Sequence, residues 1–237
     1  VDLFVDLAPQ QAGVHMSRFS DELERVVDAI TVQAAPDIET FAELLARQTV
    51  ESQDALRSEV RVTAKFPMRK IAPISGKATQ SIYTLIGMAV ATPSGTRRVV
   101  GVEADGLTAC PCAQDMIRGY AKQLLQENED MDEATAERIL DLIPLATHNQ
   151  RGRGTLLVGT QQEIQAFDLV HIVEHSMSSE IYELLKRPDE FFIVNKAHRN
   201  PRFVEDVVRE MLRLALDFYD HLPDADFIVA RQENFES

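Results

Sequence analysis

The chain has 237 residues, 45% of them apolar, with 24 Lys and Arg against 38 Asp and Glu for a formal charge of −14. That length and apolar share suffice for one large core or two small ones, while the acidic balance leaves no basic stripe for phosphates and excludes a general nucleic-acid binder. No apolar run approaches the ~20 residues of a membrane span, no leader is visible after Val1 and only two cysteines are present, which predicts a reducing, cytoplasmic setting with no membrane partner.

In chain order, residues 1–7 alternate apolar and acidic side chains and read as a strand. Ser20 is placed to cap a helix running to about residue 30, and Pro36-Asp37 opens a second with Phe41, Leu44 and Leu45 on one face. The period then changes. Val60, Val62, Ala64 and Phe66 alternate with Glu59, Arg61, Thr63 and Lys65, the pattern of a half-buried strand. Residues 80–92 and 96–104 read as two more strands, joined by the turn Pro93-Ser94-Gly95. Beyond Cys112 the spacing of Met116, Ile117, Tyr120 and Leu124 predicts a helix, followed by an acidic exposed stretch to Asp132. A short helix over 134–143 is stopped by Pro144, and 154–159 is a short strand. A long helix is expected over 168–185, ended by Pro188. Asn200-Pro201 starts another, running through Val204, Val207, Val208, Met211, Ala215 and Phe218, and 226–231 is the last strand. No residue-level repeat and no linker separates the halves.

Both cysteines fall in Ala109-Cys110-Pro111-Cys112-Ala113. Proline holds the residue before it extended, so Cys110 and Cys112, two apart, are expected to face the same side. Cys112 also leads into a helix, whose N-terminal amides favour a thiolate. A pair of buried small hydrophobes is the plain alternative. Thr147-His148-Asn149-Gln150-Arg151-Gly152 follows a helix stop and precedes a strand, hence lies on a loop, where His148 beside Arg151 and Arg153 forms a corner for an anionic ligand. A surface histidine is the alternative there. Thiolate and imidazole together are donor types of a borderline divalent metal.

Lys186-Arg187-Pro188-Asp189-Glu190 reads either as a basic helix end facing the dipole or as phosphate contacts plus a carboxylate ligand. Glu205 is either a surface partner of Arg209 one turn on or a carboxylate holding the paired N–H donors of a nitrogen-rich ring. His171-Ile172-Val173-Glu174-His175 matches the H-x-x-E-H pattern of inverted zinc peptidases, a pattern short enough to arise by chance.

Five segments together resemble the prokaryotic type IB GTP cyclohydrolases, and more closely their archaeal branch, which serves methanopterin synthesis. They are Gly13-Val14-His15-Met16-Ser17-Arg18, Ala109-Cys110-Pro111-Cys112-Ala113-Gln114, Thr147-His148-Asn149-Gln150-Arg151-Gly152, Glu183-Leu184-Leu185-Lys186-Arg187-Pro188-Asp189-Glu190 and Asn200-Pro201-Arg202-Phe203-Val204-Glu205-Asp206, in order over nearly the whole chain. The helical insert between Cys112 and His148 is similar to the archaeal branch.

The resemblance implies an α+β tunnelling fold. Two tandem antiparallel-sheet-plus-helix modules, 1–109 and 110–237, would assemble into barrels across subunits, as a homotetramer or dimer of dimers with sites at the interfaces. It implies Cys110, His148 and Glu190 as metal ligands that leave a position open for water, with Cys112 as a catalytic thiol. Glu205 would anchor the guanine edge and Glu236 would assist proton transfer. His15, Arg18, Arg151, Lys186 and Arg187 are implied for ribose and phosphate. The implied metal is Fe2+, with Zn2+ or Mn2+ accepted by the same donors.

The implied reaction opens the imidazole ring of GTP with loss of formate and yields 7,8-dihydroneopterin 2′,3′-cyclic phosphate. A bacterial-type enzyme stopping at dihydroneopterin triphosphate, and a non-catalytic pterin- or purine-binding protein, are the alternatives. The family also has chain before Val1, and beyond residue 237 a segment with a catalytic histidine. His175 is unusual for the family at its position.

Overall fold

The computed structural model describes residues 1–32, 37–129 and 131–235. Pro36 and Glu236 lie outside the described residues. The strands are β1 (Asp2–Asp6), β2 (Arg57–Ile71), β3 (Ala78–Thr92), β4 (Gly95–Ala109), β5 (Asn149–Gly159), β6 (Ser179–Glu180) and β7 (Phe227–Phe235). The helices are α1 (Met16–Val32), α2 (Ile38–Gln53), α3 (Pro111–Glu129), α4 (Glu133–Leu142), α5 (Ala166–His175), α6 (Arg187–Arg199) and α7 (Val204–Phe218). The class is α+β. One antiparallel sheet runs in the order β1-β2-β3-β4-β5-β7, and β6 pairs with β4 alone.

Alternation along the strands builds two cores on this sheet. Val60 and Val62 of β2 and Ala89 and Ala91 of β3 turn under Val26 of α1 and Ala42, Leu45, Ala46 and Val50 of α2. Further along, Val100, Val102 and Ala104 of β4 and Leu156 and Val158 of β5 meet Leu169, Val170 and Val173 of α5. Val207, Met211 and Ala215 of α7, spaced as one helical stripe, close that core. Each large apolar side chain so buried contributes about 1.5–3 kcal/mol. Helix α2 lies directly on the sheet because Gly87 has no Cβ; one there would collide with the Ile38 carbonyl. Among the described residues no helix covers β2 between the two cores: Ala64 and Phe66, expected on a buried face, are exposed.

Several boundaries differ from the sequence reading. Helix α1 begins at Met16, so Ser20 lies inside it. Leu44 of α2 faces solvent while Leu45 is fully buried. Met116, Ile117, Tyr120 and Leu124 do share a helix, but all four are exposed, and α3 is tied to α4 by Arg118–Glu137, Arg118–Asp141 and Lys122–Glu133 ion pairs instead. The helix expected over 168–185 stops at His175. Ser176 Oγ donates back to the Ile172 carbonyl (2.7 Å), and the chain turns into β6. A separate helix, α6, then starts at Arg187, so Lys186 to Glu190 open a helix and do not end one. Asn200 ends α6; α7 starts at Val204.

Candidate active site

Strand β4 ends at Ala109 opposite Asn149, the first residue of β5. One step further, Cys110 and His148 face each other. The Cys110 amide donates to the His148 carbonyl (3.1 Å), and Thr147 Oγ1 donates to the Cys110 carbonyl (3.1 Å). Residues opposite one another in an antiparallel pair send side chains to the same face, with Cβ atoms about 5 Å apart. Cys110 is half-buried and His148 exposed. His148 therefore stands at a strand end, while Asn149, Gln150 and Arg151, read as loop, belong to β5.

Helix α3 begins at Pro111, whose fixed φ and missing N–H suit a first helical position. Cys110 thus precedes the helix. Its carbonyl accepts from the Gln114 amide (3.2 Å) and its Sγ from the Ala113 amide (3.4 Å). The sulfur at the helix N-terminus belongs to Cys110, and Cys112 sits exposed in the first turn. The two thiols do not share a strand face.

A buried layer backs this pair. The Ala109 amide donates to Ser178 Oγ (3.1 Å), and the Arg202 amide to the Ala109 carbonyl (2.9 Å). Gln114 Nε2 donates to the Leu145 carbonyl (2.8 Å) and the His198 carbonyl (2.6 Å). The Thr147 amide donates to His198 Nδ1 (3.3 Å), which assigns the ring proton to Nε2. Burial pushes the His198 pKa down, keeping that nitrogen an acceptor. Sequence reading passed over His198; its only signal is a place in the last turn before Asn200-Pro201.

At the start of α6, Asp189 is fully buried. Its carboxylate accepts from the amides of Ile74 (2.9 Å), Ser75 (2.8 Å) and Lys186 (3.0 Å). Burial alone would raise its pKa; those amides outweigh it and hold the carboxyl below the usual range. Asp189 thereby fastens the β2–β3 turn to the segment carrying Lys186, Arg187 and Glu190, all three exposed. Arg151 on β5 is exposed too, whereas Arg153 is paired with Asp105 (2.8 Å). Glu205 is exposed in the first turn of α7. Arg209 pairs with Asp206 (2.8 Å), and Glu205 is not its partner.

The H-x-x-E-H segment is structural. Glu174 is buried, accepting from Lys70 Nζ (2.6 Å) and the Tyr83 hydroxyl (2.7 Å). Lys70 also donates to the Ile181 carbonyl (2.9 Å) and lies over the Tyr182 ring. His175 Nδ1 engages the His171 carbonyl (2.8 Å). The glutamate is committed to a buried ion pair and is not available as the base of a peptidase.

The ends of β2, β4 and β7 and the starts of β3 and β5 lie together in this antiparallel sheet, so Cys110, His148, Arg151 and the β2–β3 turn with its α6 partners share one end. His15 and Arg18 sit at the other. The His15 amide donates to Gln53 Oε1 (3.0 Å) and Arg18 to the Ser52 carbonyl (2.5 Å), at the close of α2. The 15 residues of β4 span ~50 Å of strand between those ends.

Among the described residues no three His, Cys, Asp or Glu side chains gather for a metal ion. Cys110 and His148 fit two positions of a thiolate–imidazole set. Glu190 does not join them within one chain: it occupies the first turn of α6, about 12 Å of helix axis from His198 in the last.

A thiol and an imidazole thus meet at one end of an antiparallel sheet. All 237 residues match the family described as type I GTP cyclohydrolase folE2, and the chain belongs to that family. The chain is 37% identical to the GTP cyclohydrolase MptA of Methanocaldococcus jannaschii, covering 100% of this chain and 77% of that protein. The MptA proteins of Methanosphaera stadtmanae and Methanothermobacter thermautotrophicus are each 38% identical, with 77% and 76% of their lengths covered by the whole of this chain. Among solved structures, a uricase from Bacillus fastidious aligns with 99% of this chain and 73% of its own at TM-score 0.49 and 11% identity, too slight a likeness to argue from.

Proposed function

We propose that this chain is a GTP cyclohydrolase that opens the guanine imidazole ring of GTP, releases formate and forms 7,8-dihydroneopterin 2′,3′-cyclic phosphate, the first step of methanopterin synthesis. The observation that carries the reading is the pairing of Cys110 with His148 at the end of β4 and β5, in a chain similar along its whole length to proteins named GTP cyclohydrolase MptA.

The residues divide the work as follows. Cys110 and His148, with Glu190 of a second subunit, would hold a divalent metal, Fe2+ or in its place Zn2+ or Mn2+. Such a metal lowers the pKa of water and supplies a nucleophile at neutral pH for the carbon between the two imidazole nitrogens. Lys186, Arg187 and Arg151 are exposed and, among the described residues, make no ion pair, so they are free to bind the triphosphate of GTP. Glu205 accepts from the paired N–H donors of the guanine edge. Cys112, exposed in the first turn of α3, moves a proton as the ring opens, and Glu236 assists. His15 and Arg18 act on ribose and phosphate from a second subunit, because their own chain carries them to the far end of the sheet. That arrangement is a tunnelling fold with modules 1–109 and 110–237, assembled as a homotetramer or dimer of dimers.

Anaerobic incubation with GTP and Fe2+, followed by product mass, tests the reaction. A cyclic phosphate product is expected; the triphosphate would make this the bacterial-type reaction.

A further inference from the structure

We propose that His198 is a positioning residue for the Cys110–His148 pair: its buried imidazole fixes the backbone at Thr147 and so sets where His148 stands against Cys110. The inference rests on the reading of those two residues as the reacting centre. Between the end of α4 at Leu142 and the start of β5 at Asn149 the chain has neither helix nor strand, so no regular structure places residues 143–148. Side chains do it instead. The Thr147 amide donates to His198 Nδ1 (3.3 Å), the Leu145 carbonyl accepts from Gln114 Nε2 (2.8 Å), and Thr147 Oγ1 donates to the Cys110 carbonyl (3.1 Å). Gln114 closes the clamp by donating also to the His198 carbonyl (2.6 Å). Three separate parts of the chain, α3, the last turn of α6 and the 143–148 segment, are thereby locked together directly behind the two side chains.

The bond to His198 is out of water: Thr147 is 9% and His198 5% exposed. An apolar side chain at 198 leaves a buried amide unpaired, which the segment relieves only by moving. A displacement of about 1 Å at a reacting group is enough to lower a rate by up to ~10²-fold.

Three substitutions separate positioning from bulk. His198→Asn puts an acceptor where Nδ1 stands, His198→Gln puts one where Nε2 stands, and His198→Leu removes it. Amide hydrogen exchange over residues 145–149 is measured in the metal-free protein, and kcat and KM for GTP are measured with Fe2+ added. The Leu and Gln variants are expected to exchange at least about tenfold faster over 145–149 with the rest of the chain unchanged, and to lose about tenfold or more in kcat with KM within about twofold. The Asn variant is expected to return both to within about threefold of wild type.

Wild-type exchange or wild-type kcat in the Leu variant would overturn the proposal, as would an Asn variant no better than Gln. If the Leu variant fails to fold, the Asn–Gln comparison decides by the same criteria. Cys110→Ala and His148→Ala run alongside. Full formate release in either would sink the reading of the reacting centre, while the exchange data would still decide whether His198 holds the segment.

Discussion

The amide of Cys110 donates to the carbonyl of His148 over 3.1 Å, one step past the last paired residues of β4 and β5. Sequence separates the two by a helical hairpin, and the antiparallel ladder brings them back together. The ladder brings the two strand ends together, and bonds from Gln114 and His198 then hold the 143–148 segment that carries His148.

On the proposed reading, metal binding depends on the thiol, imidazole and carboxylate donors. Cys110→Ala, His148→Ala and Glu190→Ala are each expected to weaken Fe2+ binding by at least about tenfold, while His171→Ala and His175→Ala leave it unchanged. Metal retained per chain after dialysis, measured by atomic emission, checks both halves of the statement.

Glu174 is expected to matter for stability. Removing its carboxylate with Glu174→Ala strands Lys70 as an uncompensated charge whose side chain is only 14% exposed. Breaking a buried pair in this way costs about 3 kcal/mol. Lys70→Met combined with Glu174→Leu should cost less than Glu174→Ala alone. Denaturant midpoints of the variants give the comparison.

The strands β2 to β4 were legible because alternation is a local signal that each segment carries by itself. The break at Ser176 was not, because it is held from a distance: Asn200 Nδ2 donates to the Met177 carbonyl (3.2 Å) and Arg202 to the Ser176 carbonyl (2.6 Å). The helix start at Arg187 was misread for a related reason. Its buried acceptor, Asp189, is satisfied by Ile74 and Ser75 as well as by Lys186, and nothing nearby in sequence announces that. Cys110 and His148 were recognisable as residue types, yet their adjacency comes from the register Ala109 to Asn149. His198 was invisible, since its partner lies 51 residues away.

Glu39 gives a pH signature. Burial is the main cause that raises its pKa above the ordinary 4.5, with Asp37 and Glu163 adding to it and Arg98 and the backbone opposing. A group raised on folding contributes stability that is fully present below its unfolded value and is lost as pH rises through the folded value. Glu39→Gln is therefore expected to raise Tm at pH 7 and to leave it unchanged near pH 4. Thermal melts at the two pH values test the sign.

Lys186 and Arg187 are expected to act on binding. The double variant Lys186→Ala, Arg187→Ala should raise KM for GTP by about tenfold with kcat within about twofold, and its KM should vary less with salt than that of wild type. Initial rates at two ionic strengths provide the readout.

Cys110 and His148 are the proposed centre at which GTP is opened. The most direct measurement is formate released per chain on anaerobic incubation with GTP and Fe2+, for wild type, Cys110→Ala and His148→Ala at matched circular dichroism. Stoichiometric formate and pterin from wild type, with a fall of ~10²-fold or more in each variant, is the predicted result. Release from either variant at the wild-type rate would contradict it.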